Sequence, residues 1–69
     1  MKQVIKKYTK RQIESLCHDA FKHIANRVEF NVLDISEVLN SYRLCLSATQ
    51  NTQAAEEAMR DAVQRLRVN

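Results

Sequence analysis

The chain contains neither Gly nor Pro in 69 residues, and that double absence narrows the fold more than any other feature. Tight hairpins recruit Gly for positive φ, and phosphate-cradling loops need Gly so that backbone can approach a ligand. Without Gly, an all-β architecture and a P-loop are both disfavoured. Without Pro, nothing breaks a helix from within. The expectation is an all-α fold whose helices start and stop through side-chain caps.

Two such starts are legible. Thr9 and Gln12 have capping-box spacing, with Tyr8 and Ile13 placed as a hydrophobic staple around them. Asp34 and Glu37 repeat the spacing, with Leu33 and Val38 as the second staple. After the first start, Ile13, Leu16, Cys17, Ala20, Phe21, Ile24 and Val28 recur at steps of three and four. That is one apolar stripe on a helix surface. The spacing predicts a first helix over about 10–27. Ile35, Val38, Leu39, Tyr42, Cys45 and Leu46 make a second stripe, for a helix over 35–48. Ala55, Ala58, Met59, Ala62, Val63 and Leu66 make a third, over 53–67. Phe21 and Leu39 sit mid-stripe and are expected in the core.

Two segments read less simply. Val28, Phe30 and Val32 alternate with Glu29 and Asn31. A lone strand cannot satisfy its own ladder groups. The segment therefore reads as an ordered connector, with Phe30 or Val32 plugging the helix junction and Asn31 offering an unusual backbone conformation. Farther on, one helix from Ile35 to Leu66 would run about 48 Å. Its middle layers would be Thr49, Thr52 and Glu56, which bury poorly. A break near Asn51 lets both flanking stripes share one core. The expected fold is a single helical domain, 1–69, with a basic lead at 1–8. It is a small three-helix bundle or helical hairpin. A domain this small buries only about 60% of its unfolded surface, so homodimerisation is expected to complete it.

Charge is unevenly placed. Lys2, Lys6, Lys7, Lys10 and Arg11 precede the first acid, Glu14. The formal net charge of +3 thus belongs to the head, because acids outnumber bases in the rest. Such a head can neutralise nucleic-acid phosphates, giving affinity with little sequence preference. Tyr8 is its lone aromatic, so single-strand stacking has no support. The head is not followed by an apolar stretch of signal-peptide type, and no run is long enough to span a membrane. Two Cys residues allow at most one disulfide. They are expected to sit reduced as small hydrophobes in a cytoplasmic protein.

No arrangement of reactive side chains argues for catalysis. Cys17, His18, His23 and Cys45 equal a zinc site in number but not in spacing, since adjacent helical residues diverge. Cys17, Asp19 and His23 crowd one helix and cannot align as a relay with an oxyanion hole. A helix-turn-helix reading would put Ser36, Asn40, Ser41 and Arg43 on a recognition helix. That helix carries a single base and begins with acids, the wrong sign for phosphate. The chain thus reads as a non-enzymatic interaction or regulatory protein, without cofactor or metal, acting on an unidentified protein partner. Ala55, Ala58, Met59, Ala62 and Leu66 are its candidate interface, since small residues admit close helix approach. The alternative is a DNA- or RNA-binding regulator using Lys2, Lys6, Lys7, Lys10 and Arg11.

Overall fold

A computed structural model describes residues 7–25 and 29–68 and shows three helices: α1 (Lys10–Ile24), α2 (Val32–Thr49) and α3 (Thr52–Val68). The start of α1 follows its sequence signal. The Thr9 side chain accepts from the Gln12 N–H at 3.1 Å, and the Gln12 side chain accepts from the Thr9 N–H at 2.9 Å. Two amide groups that a helix start leaves open are thereby satisfied. The helix closes at Ala25, whose N–H donates to the Phe21 carbonyl at 2.9 Å. Its expected last turn, from Asn26 through Arg27, lies outside the described residues, as does Val28.

The second helix begins three residues earlier than its Asp34 signal indicates. Asn31 is the cap, and its side chain accepts from the Asp34 N–H at 2.8 Å. Asn and Asp cap about equally well, so local preference does not decide between them. Starting at Asn31 gives backbone groups between 32 and 35 helical partners they would otherwise lack. It also leaves Phe30 beside Phe21, ring centroids 6.5 Å apart. Asp34 instead becomes an acid in the first turn, where the helix dipole favours it. The proposed staple does not form, because Leu33 is 80% exposed while Val38 is fully buried. Phe30 is the plug and Val32 is not, being 80% exposed. Asn31 itself has ordinary extended backbone (φ −80, ψ 175).

The unusual conformation falls at Gln50, in the left-handed region with φ 56 and ψ 27. For a residue with a Cβ this costs about 1–2 kcal/mol. The side chain offsets it. Its amide nitrogen donates to the Leu46 and Ser47 carbonyls at 3.2 and 2.9 Å, and its oxygen accepts from the Tyr8 N–H at 2.7 Å. Asn51 then starts α3, its side-chain oxygen accepting from the Gln53 and Ala54 N–H groups. The polar run thus ends one helix and begins the next, so the single long helix does not form.

The chain is an all-α three-helix bundle. The core is centred between α2 and α3, the most extensive pairing, with α1 laid across them. Val38, Tyr42 and Leu46 of α2 meet Ala55, Met59, Ala62 and Val63 of α3, and Cys17 and Ala20 of α1 close the third side. Phe21 and Leu39, expected at the centre, are only partly buried and pack at its edge. The deepest large side chains are Tyr42, Leu46 and Met59.

Candidate interaction surfaces

The seam between α1 and α2 is held by a charged pair. Arg43 Nη2 donates to Glu14 Oε1 at 2.9 Å, and Arg43 Nε lies 2.7 Å from Glu14 Oε2. The Nε contact is ionic without hydrogen-bond alignment, since Nε is buried and lacks a directed partner among the described residues. Arg43 Nη1 also donates to Asn40 Oδ1 at 2.9 Å, which fixes the fork. His18 Nε2 stands 3.7 Å from Glu14 Oε1, the i,i+4 pairing that the spacing implies. The hydrogen bond from Arg43 holds the Glu14 carboxyl below its ordinary range, with the Arg43 and His18 charges adding to it against desolvation. The same bond pushes the Arg43 guanidinium up.

A carboxyl with a depressed folded-state pKa stabilises the fold above its unfolded-chain pKa. That contribution disappears as pH falls through the lower folded-state value. Glu14→Gln is therefore expected to be less stable than wild type at neutral pH, with the difference closing on acidification. Denaturant midpoints of both proteins across that range check it. A difference that persists undiminished in acid would show that the pairing is not its cause.

Beside this pair lies an open groove of about 430 Å³, lined by Lys10, Ile13, Glu14, Arg43, Leu44 and Ser47. Leu44 is 71% exposed on its rim. Leu33 and Leu44 are on one side of α2. At about 100° per residue their positions differ by only about 20° around the axis, and they stand about 16 Å apart along it. Both fall off the buried stripe of α2, and this was the signal available in the sequence: two leucines in register with each other and out of register with the core. Val32, Leu33 and Leu44 are the exposed large hydrophobics among the described residues.

The other candidate residues fall into distinct places. Ala55, Met59 and Ala62 have no exposure and sit in the intrachain core. Ala58 and Leu66 are partly buried on the same helix. The small residues Ala55 and Ala62 of α3 thus serve packing within the chain, where α2 is the most extensive neighbour of α3. Lys2 and Lys6 lie outside the described residues. Lys7, Lys10 and Arg11 are exposed at the start of α1, with no carboxylate within 4.0 Å among the described residues. The first turn of α1 has no acid to balance them.

Comparison with protein-family models, characterised proteins and solved structures finds no match to this chain. Its chemistry therefore rests on its own side chains. Cys17 is fully buried, and its thiol donates weakly to the Leu39 carbonyl at 3.4 Å. Burial pushes the Cys17 thiol pKa up, which opposes thiolate formation. Burial likewise raises the Tyr42 phenol, with the nearby Glu56 charge adding to it. Both cysteines are free. Among the described residues no group of three His, Cys, Asp or Glu side chains is placed to hold a metal ion. Arg43, the single base of the helix that a helix-turn-helix reading would make the recognition helix, is committed to Glu14 and Asn40. No helix among the described residues is long and apolar enough to cross a membrane.

Proposed function

We propose that this chain is a non-enzymatic interaction module that works through protein–protein contacts on the outward face of α2. One observation carries the reading: the intrachain core is complete without Leu33 and Leu44, yet both stand in water at 80% and 71% exposure. Scattered apolar residues on a surface are ordinary. Two large ones aligned on one helix, the second rimming a groove, are better explained by a partner. The charge-introducing pair Leu33→Glu and Leu44→Glu tests it. Capture of a protein partner from cell extract is expected to fail with this double variant and to survive Lys6→Gln, Lys7→Gln and Lys10→Gln together. A partner held by the double variant and lost by the lysine variant would overturn the reading.

A second reading has its own support. Lys10 and Arg11 occupy the positive end of α1, where the dipole disfavours cations by about 0.3–1 kcal/mol each. An anionic ligand would relieve that repulsion, and a nucleic-acid backbone is one such ligand. Under this reading, affinity for mixed DNA or RNA falls steeply between about 50 and 200 mM salt. The triple lysine variant removes most of it. Fluorescence anisotropy that shows no binding by wild type at low salt would remove the reading.

A further inference from the structure

The outward face of α2 matches itself when a second copy is laid across it in the opposite direction. Leu33 is near one end of the helix and Leu44 near the other, within about 20° around its axis. Between them, Glu37 and Asn40 lie on the same exposed face. A twofold axis passing between the levels of Val38 and Leu39 puts Leu33 opposite Leu44 of the other copy. The same axis puts Glu37 opposite Asn40. Such a pairing is isologous: whatever one copy offers at one end, the other receives at its far end.

Charge supports this direction. Glu29, Asp34 and Glu37 mark the N-terminal end of α2 and its approach. Lys10 marks the C-terminal end, where it shares the groove with Leu44 and Ser47, while the Arg43 charge in that groove is matched by Glu14. Antiparallel docking sets the acidic end of each copy against the basic end of the other, whereas parallel docking would set like against like. Asn40 completes the match. Its side-chain oxygen is already engaged by Arg43, which leaves its amide hydrogens as the groups to offer. A facing Glu37 carboxylate, exposed in the single chain, is the acceptor they need. The two Glu37 side chains also approach each other near the axis, a repulsion that keeps the association moderate.

We infer that this chain forms an antiparallel α2–α2 homodimer, with Leu33 of each copy packed on Leu44 of the other. The inference rests on the interaction-module reading and names one partner for it, a second copy. Leu44 receives the incoming leucine at the rim of a groove that Ile13 of its own chain also lines. Sedimentation equilibrium of the full chain at tens of micromolar concentration should give a mass near twice 8.0 kDa, and Leu33→Glu should return it to the single-chain value. Register is tested by thiol pairing in a Cys45→Ser background, since Cys17 is buried. A mixture of the Leu33→Cys and Leu44→Cys proteins should oxidise to a disulfide-linked pair, and neither protein alone should do so. Linking within the Leu44→Cys protein alone would overturn the register. A single-chain mass at every concentration would overturn the dimer. If that monomer still captured another protein, and lost it with Leu33→Glu and Leu44→Glu together, only the dimer would fall. If the double variant kept its partner, the interaction-module reading would fall as well.

Discussion

Replacing Leu46 with Ala is expected to lower the unfolding free energy by about 2–5 kcal/mol. Leu46 has no exposed surface, and it lies among Tyr42, Met59 and Cys17 in the cluster that joins all three helices. Truncation removes its transfer energy and leaves a void that three helices, each fixed by its caps, can close only in part. At about 0.05–0.15 kcal/mol per residue a domain of this size has roughly 3–10 kcal/mol in total. The variant should therefore be largely unfolded at modest denaturant concentration. Phe21→Ala makes the informative contrast. Phe21 is the larger side chain, but it is only partly buried and touches the edge of the core beside Phe30. Its loss is expected to be the smaller of the two. Urea titrations of both variants decide this. A Leu46→Ala loss under about 1 kcal/mol, or a larger loss at Phe21, would move the centre of the core from α2–α3 toward α1.

The sequence carried the helical stripes well because their period is a direct consequence of 3.6 residues per turn. Which positions lie deepest was less accessible. Phe21 looks central on size alone, yet depth depends on where α1 crosses the other two helices, and no local pattern encodes that crossing. The start of α2 shows a second limit. Asn31 and Asp34 are both competent caps, and the choice between them follows from Phe30 packing near Phe21. The positive φ went to Gln50 because a long side chain there reaches three backbone groups. A cap in which the side chain replaces the conformational freedom of Gly has no simple sequence signature.

The interaction surfaces were legible to different degrees. The cationic head is a matter of composition, and Lys7, Lys10 and Arg11 are indeed exposed together at the start of α1. The alanine stripe of α3 was ambiguous between a neighbour in the same chain and a neighbour in another. The fold gives Ala55 and Ala62 to the intrachain core. Leu33 read as a staple and Leu44 fell between stripes, so neither stood out until burial separated the used apolar residues from the unused ones. Arg43 likewise resembled a free surface base. Its engagement with Glu14 depends on two helices lying side by side, a contact between residues far apart in sequence.

The largest functional effect is expected from Leu33→Glu combined with Leu44→Glu. Both side chains project outward, so two carboxylates there are hydrated at little cost to the fold. In an interface they would be buried without partners, which costs several kcal/mol or prevents docking. The double variant should thus keep its helices and lose its associations. Most core changes would instead remove structure and binding together. The decisive measurement is the unfolding free energy of wild type and double variant, taken by urea titration on samples dilute enough to be single chains. Leucines that are spare to the core and reserved for a partner predict agreement within about 0.5 kcal/mol. A loss of about 2 kcal/mol or more would make them part of the intrachain core, leaving no leucines spare for a partner.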